Sequence, residues 1–424
     1  SEVILRLLPA RFVDFSGRLL GSLAWQLAVG LRRVVWRNIM VAWGETSTDE
    51  ELKILSKKIF QQNVANMLGA FRSSVMPLEK MQKFVEIEGA EEFGESLLAE
   101  KKGAILVLAH MGNWEILARL SQLAPAGVKC GAMYRPLNNP LVDALVKKRR
   151  QDSGTKLFAK KEGFAEAIQL LRSGGALGIL SDQHAGNSGE LCPFYGRLTS
   201  CSPLPSLLQR RTGAAVFHAA VMRTGPARWK VKIFRHSENP VSTASIMRGI
   251  EATINLSPAD GFWFHERWKL PHKKPLGLQN RRGARSLNDR SQQILVILSN
   301  DNLLREQSLP ALQALVNARP NLRFYLTVPA PIVGGQRVFF LNPADSLTTT
   351  LQSWEKVNRL PLDMILVLDR PQRHRDLNAP VVAGFGHQKH FTHGIKAEPE
   401  IYDTQAWFSL LARLGFSPAE QLPE

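Results

Sequence analysis

The residues best placed to move a proton are a histidine and a glutamate five positions apart, in the run His110-Met111-Gly112-Asn113-Trp114-Glu115. A carboxylate that holds one imidazole nitrogen fixes the tautomer and leaves the other nitrogen able to take a proton from a hydroxyl. That gives two members of a catalytic triad without a protein nucleophile, so a substrate hydroxyl has to supply the attacking oxygen. On one continuous helix the two side chains would stand about 140° apart. They can meet if His110 lies on a turn, with Gly112 allowing a tight bend and Asn113 near a helix N-cap, so that the imidazole folds back toward Glu115. Taken alone, the spacing also suits a structural histidine at a strand end.

The surrounding elements supply such a turn. Residues 104–109 (AILVLA) are a continuous apolar run, which predicts a strand buried on both faces. A helix follows His110 to about Leu123. Strand patterns recur at 84–88, 156–158, 176–180, 215–221 and 229–234, with helices near 141–151, 163–172 and 203–212. This predicts an α/β domain over 84–275, with a central, mostly parallel sheet and flanking helices. Such sheets carry chemistry at the carboxyl ends of their strands. Ser181-Asp182-Gln183 ends one strand, so Asp182 and Gln183 join the candidates, although an aspartate there also serves as a cap. Ahead of the domain, 3–36 read as a helix mixing apolar and basic residues, and a second helix runs from about Thr48 to Ser74. The apolar core at 19–31 is about 13 residues, too short to span a bilayer. A basic, Trp-bearing amphipathic stretch suits a membrane interface as well as ordinary packing, and 1–83 is read as a helical, membrane-associating segment. A polar, basic linker is expected at 276–291, and the strand–helix alternation restarts in a smaller α/β unit at 292–424.

The length of 424 residues favours two or three domains at ~150 residues each. A 44% hydrophobic and 21% charged composition can bury real cores and excludes a disordered polymer. Cys130, Cys192 and Cys201 form no CxxC pair, which argues against a disulfide framework and a cysteine-type zinc site. Nothing plainly spans a bilayer, and no cleavable signal peptide is evident. The chain starts at Ser1, so a preceding segment is expected. The net charge is +17, and all of the excess lies before residue 287: residues 287–424 hold 13 basic and 13 acidic residues. By charge alone the first two-thirds should therefore attract nucleic acid, anionic lipid, phosphorylated substrates or an acidic protein. No aromatic–basic RNA motif or DNA-reading helix appears, so nucleic acid is not expected as a partner.

HMGNWE resembles the HxxxxD/E block of the lysophospholipid acyltransferase superfamily. It is more closely similar to the HxGNWE form of the bacterial lipid A late acyltransferases, which add lauroyl or myristoyl chains. Further blocks follow in that family's order. Tyr134-Arg135-Pro136-Leu137-Asn138-Asn139-Pro140 resembles YRPxxNP, Ser181-Asp182-Gln183 a DQ or DH block, and Cys192-Pro193-Phe194-Tyr195-Gly196 a VPFFG segment. Trp263-Phe264-His265-Glu266-Arg267-Trp268-Lys269 resembles the closing WxHRRFK, and Arg37-Asn38 also fits. The resemblance covers about residues 5–270. It implies that His110 is the general base, that Glu115 orients it, and that Arg135 binds an acidic group or stabilises the developing oxyanion. It implies substrate-binding roles for Asn113, Trp114, Asp182, Gln183, Arg267 and Lys269. Asn113 reads equally as a helix cap, and Arg267 and Lys269 as either phosphate contacts or a solvated face. The family uses no metal or other cofactor. Its donor is acyl-acyl carrier protein, and the implied acceptor is a hydroxyl of a lipid A precursor or related glycolipid. The implied place is the cytoplasmic face of the bacterial inner membrane, against an anionic surface, with peripheral or amino-terminal attachment. The basic runs 147–150 and 160–161 suit carrier docking or a wet helix face. Two departures stand out: Glu266 replaces a usual arginine, and the family's amino-terminal membrane helix is short here. The rival reading is a non-enzymatic glycolipid- or membrane-binding protein on the same fold.

Residues 292–416 resemble the amino-terminal half of the ADP-heptose glycosyltransferases, through Ile294-Leu295-Val296-Ile297, the run 309–315, Arg319-Pro320, and the stretches 363–369 and 379–385. That family's Gly-Asp pair is replaced by Leu303-Leu304, and its donor-binding half has no counterpart. The expectation is a Rossmann-like, non-catalytic module. His387, His390 and His393 would cluster on a helix, but no second ligand set accompanies them, and no metal site is expected.

Overall fold

The computed structural model describes residues 8–268, apart from 45, 75, 101, 137–138, 160–162 and 187–188. Beyond these it describes 293–318, 322–328, 330–332, 337–341, 362, 364–370, 381–386, 393–395 and 401–413. Lys269, the 276–291 linker, Lys160-Lys161, His387 and His390 lie outside the described residues. The chain divides into two compact units, the first drawn mainly from residues up to Arg267 and the second mainly from those after it.

The first unit opens with helices α1 (Ala10–Leu27), α2 (Val29–Trp43), α3 (Asp49–Ser74) and α4 (Leu78–Gln82). Strand β1 (Val85–Glu88), helix α5 (Ala90–Glu100), strand β2 (Ala104–Leu108) and helix α6 (Glu115–Arg119) follow. Next come β3 (Cys130–Tyr134), α7 (Pro140–Asp152), β4 (Thr155–Ala159), α8 (Phe164–Arg172) and β5 (Ala176–Leu180). A hairpin of β6 (Glu190–Phe194) and β7 (Arg197–Cys201), whose residues 191–200 belong to the second unit, precedes α9 (Leu204–Thr212), β8 (Ala215–Gly225), β9 (Arg228–Arg235) and α10 (Thr243–Asn255) of the first. The seven-stranded sheet has the order β1-β9-β8-β2-β5-β3-β4. All neighbours are parallel except β8 and β9, which pair antiparallel. The sheet is therefore mostly parallel, with β2 near its centre and buried as a continuous apolar run requires.

The second unit holds β10 (Gln293–Leu298), α11 (Asn302–Ala318), β11 (Arg323–Leu326), β12 (Val338–Phe340), β13 (Met364–Leu368), β14 (Val381–Phe385), β15 (His393–Ile395) and α12 (Thr404–Arg413). Its sheet is parallel throughout, in the order β12-β11-β10-β13-β14-β15. In chain order that is 3-2-1-4-5-6, the doubly wound arrangement. Trp407, Leu410 and Leu411 of α12 pack with Leu312 and Leu315 of α11 and the apolar strands in one core.

The stretch 3–36, read as one helix, contains the whole of α1 and runs on into α2. Ala28 leaves helical geometry at φ −84°, ψ 64°, and Arg32 donates to the Trp25 carbonyl at 3.0 Å, satisfying a group the break exposes. Helix α3 starts where its sequence says it should. Thr48 and Glu51 form a reciprocal cap, with Thr48 N donating to Glu51 Oε2 at 2.7 Å and Glu51 N to Thr48 Oγ1 at 3.3 Å. Strand β3, the β6–β7 hairpin and α10 were not legible. Gly131 interrupts the strand pattern of β3, and Gly249 weakens the helix pattern of α10. Both glycines answer to packing: a Cβ at Gly131 would stand 2.4 Å from the Phe158 ring, and one at Gly249 2.2 Å from the His218 ring.

Helices α1 and α3 lie backbone to backbone because the buried face of α1 carries glycine. A Cβ on Gly21 would lie 2.5 Å from the Phe60 carbonyl oxygen, and one on Gly17 2.6 Å from Ala65 Cα. Asp14 on the same face pairs with Arg223. Gly30 on α2 has open space around it. Gly21→Leu should therefore destabilise the fold by about 1–3 kcal/mol, while Gly30→Ala should be neutral or stabilise by up to ~1 kcal/mol. Chemical denaturation of the two variants checks both.

Candidate active site

Strands β2 and β5 are parallel neighbours, with Leu108 opposite Leu180. Two residues beyond each partner, His110 and Asp182 leave the sheet at the same edge. His110 Nδ1 lies 2.7 Å from Asp182 Oδ1. Asp182 is buried, and the imidazole keeps about a fifth of its side-chain surface exposed. Since an ionised carboxylate only accepts, Nδ1 carries the hydrogen and Nε2 is the basic nitrogen.

The bend that aims His110 is held from several sides. Gly112 sits at φ +56°, and a Cβ there would fall 2.1 Å from the Val221 carbonyl oxygen, so only glycine fits. Phe262 N donates to the His110 carbonyl at 2.8 Å, and Gly112 N to the Asp260 carbonyl at 3.0 Å. Asp260 is itself buried and fully engaged. It accepts from Asn66 Nδ2 at 2.8 Å, Arg223 N at 2.8 Å and Ser257 Oγ at 2.6 Å. Asn113 is buried and donates to Ser73 Oγ at 3.0 Å. Its backbone carbonyl accepts from Ile116 N at 3.1 Å. Trp114 packs edge-on against His110 with ring centres 5.4 Å apart, and Phe262 stands on another side at 6.3 Å.

Burial disfavours a charged imidazole, but the Asp182 carboxylate, with Glu115 further off, outweighs it and raises His110 above its ordinary value of 6.5. Burial works to raise Asp182 as well, and His110 overcomes that to hold the carboxyl below its usual range. His265 is a different case. Burial pushes it down to about 4, so it is neutral. Its Nδ1 donates to the Phe262 carbonyl at 3.1 Å.

The sequence pointed to Glu115 as the carboxylate on His110, and the structure puts Asp182 there instead. Glu115 begins α6 and is held by Arg150 of α7, through Nε to Oε2 at 3.2 Å and Nη2 to Oε1 at 2.7 Å. The physical reason is topological: adjacent strands deliver His110 and Asp182 to one spot, whereas Glu115 is carried into the next helix. Both strand ends were visible in the sequence, but their adjacency was not. In the sequence Arg150 is one member of the basic run 147–150 and carries no other signal of its pairing. Arg135 is exposed just after β3, and Gln183 is exposed beside Asp182. Arg267, a candidate phosphate contact, is buried in the interior, with Nη2 3.1 Å from Cys201 Sγ and 3.6 Å from Met247 Sδ. Glu266, where the resembling family has arginine, pairs with Arg37 at 2.5 Å, and Asn38 donates to the Trp263 and His265 carbonyls at 2.8 Å each. The closing motif is thus tied to α2.

Two cavities flank this edge of the sheet. One of about 230 Å³ is lined by Leu106, Leu108, Leu177, Leu180, Phe93 and Ile233. The other, about 570 Å³, is lined by Phe60, Met67, Phe71, Asn113, Phe262 and Arg149 among others. Trp114, Glu115 and Arg150 line both. An imidazole with Nδ1 held by a carboxylate and Nε2 basic, at the carboxyl ends of parallel strands, is an arrangement able to take a proton from a hydroxyl; Trp114 and Phe262, which pack on His110, line the larger cavity.

The family model for bacterial lipid A biosynthesis acyltransferases matches residues 2–270, and the chain belongs to that family. It is 24% identical over 271 residues to a lipid A biosynthesis lauroyltransferase of Escherichia coli (strain K12), covering 62% of this chain and 86% of the relative. It is 26% identical over 222 residues to a lipid A biosynthesis acyltransferase of Haemophilus influenzae, covering 51% and 69%. It is 25% identical over 209 residues to lipid A biosynthesis acyltransferase 2 of Shigella flexneri, covering 49% and 65%.

The pairing can be tested by titration. Ring-resolved NMR should show His110 protonating above 6.5 and His265 near 4. Asp182→Asn removes the group that favours the imidazolium and leaves the burial, so the His110 midpoint should fall. An unmoved midpoint would refute the pairing.

Proposed function

We propose that this chain transfers a fatty acyl chain from an acyl thioester, borne by acyl carrier protein, to a hydroxyl of a lipid A precursor or related glycolipid. The reading is carried by the His110–Asp182 pair, set at strand ends beside apolar cavities in a chain of this family. His110 Nε2 takes the proton of the acceptor hydroxyl as that oxygen attacks the thioester carbonyl. Asp182 stays ionised and stabilises the imidazolium. The tetrahedral intermediate then collapses, the carbon–sulfur bond breaks, and the departing thiolate receives the proton from His110. The exposed Arg135, at the end of β3, is the candidate for the developing oxyanion or for an acidic group of the acceptor. The smaller cavity suits a hydrocarbon chain, whose burial stabilises by ~0.8 kcal/mol per methylene.

Helix α1 supports attachment to an anionic bilayer surface on the cytoplasmic side. Phe12, Phe15, Leu19, Leu20, Leu23 and Leu27 are exposed along it, with the exposed Arg11 and Arg18 beside them and Arg33 on α2. No described helix is long and apolar enough to cross a membrane. The second unit, where Leu304 is buried at the position of the glycosyltransferase acid, is read as a non-catalytic module.

His110→Ala should lower transfer by ~10²–10⁴-fold with unchanged thermal unfolding. Mass spectrometry of lipid A from cells carrying only that variant should show one acyl chain missing. A full complement would instead favour a non-enzymatic role.

A further inference from the structure

Helix α1 buries a carboxylate on a face otherwise made of Val13, Gly17 and Gly21. That carboxylate, Asp14, pairs with Arg223 near the end of β8; the Arg223 side chain is 7% exposed and that of Asp14 8%. The pair is one-sided. Arg223 Nη2 donates to Asp14, while Nη1 is buried with no hydrogen-bond partner among the described residues. Burial lowers the guanidinium from its ordinary value, and the Asp260 carboxylate opposes that. Asp260 is the residue that receives the Gly112 turn. Its carbonyl accepts from Gly112 N, and its carboxylate from Asn66 Nδ2, Arg223 N and Ser257 Oγ. Just beyond it, Gly261 bridges Met111 antiparallel, and Phe262 N donates to the His110 carbonyl. The Arg223 cation thus lies within reach of two carboxylates, and one of them supports the segment that aims His110.

We propose that Asp14 is a positioning residue for acyl transfer: by holding the Arg223 guanidinium on α1, it keeps that cation off Asp260 and so keeps His110 aligned with Asp182. This deepens the acyltransferase reading above and rests on it. A buried guanidinium does not stay without a counter-charge. With Asp14 neutral, it turns to the carboxylate that already acts on it, Asp260. Charge-assisted bonds are stronger than neutral ones, so the guanidinium displaces Ser257 Oγ and Asn66 Nδ2 from that carboxylate. The segment 260–262 then shifts, and the backbone bonds from Gly112 and to His110 shift with it. Asp14 itself touches no reacting atom. The close approach of α1 to α3 at Gly17 and Gly21 is left as it was, so the effect is one of charge placement and not of helix packing.

The test titrates the histidine rings of the full chain by NMR in detergent micelles, beside transfer assays with a glycolipid acceptor and an acyl thioester. Asp14→Asn should lower the His110 midpoint and cut kcat about 10-fold, with KM within about 2-fold of the wild type. The charged and titratable neighbours of His110, which are Asp182, Glu115, Arg150 and His265, are all retained, so the shift reports their geometry. Asp14→Asn combined with Arg223→Met leaves no buried cation to misdirect and keeps the backbone N–H that Asp260 accepts. In that variant the midpoint should recover, and kcat should return to within about 2-fold of the wild type. A merely structural Asp14 would lower thermal stability and leave the His110 midpoint where it was. An unmoved midpoint in Asp14→Asn therefore overturns the proposal, and so does one that stays low in the double variant. If the asparagine variant fails to fold, Asp14→Glu takes its place. Its longer side chain pushes the guanidinium toward Asp260, so the midpoint should fall by a smaller amount, and an unmoved midpoint there overturns the proposal equally. The titration needs no turnover, so it decides the positioning role even if the wild type transfers no acyl chain, a result that would count against the catalytic reading alone.

Discussion

The parallel register of β2 against β5 is the constraint on which the site depends. Neighbouring strands run about 4.8 Å apart, so residues leaving both at one edge are brought within hydrogen-bond reach before any loop is specified. Leu108 opposite Leu180 therefore already implies His110 beside Asp182. What remains is direction, and the protein spends a buried network on it. Gly112 turns the chain, Asp260 receives the turn, and Asn66 on α3 and the Arg223 backbone hold Asp260. The amino-terminal helices thus support the site as well as shielding the sheet.

Two carboxylates near one imidazole have been given different surroundings. Asp182 is buried and directly bonded to the ring, so its charge acts at close range in a poorly screened place. Glu115 is half-open to solvent and neutralised by Arg150. The first suits a permanent role in fixing the tautomer. The second is turned away from the ring, into a two-pronged ion pair with α7.

Much of this was legible from the chain alone, for identifiable reasons. The apolar run 104–109 reads as a strand buried on both faces, and the second helical pattern begins at about Thr48, where α3 starts. His110, Asp182 and Gln183 were visible as strand-end residues. The choice between Asp182 and Glu115 was not, because sequence separation favours the near glutamate while sheet order favours the distant aspartate. Arg267 misled for a related reason: arginine is usually exposed, and only the packing around Cys201 and Met247 shows it inside. Gly131 and Gly249 hid a strand and a helix whose glycines serve packing and not backbone freedom.

The Arg37–Glu266 pair joins α2 to the closing motif across 229 positions of sequence. An arginine at 266, as in the resembling motif, would set two guanidiniums against each other at this spot. In this chain the amino-terminal helices and the closing motif are electrostatic counterparts, and restoring arginine at 266 while Arg37 stays would put like charge against like at the seam between them.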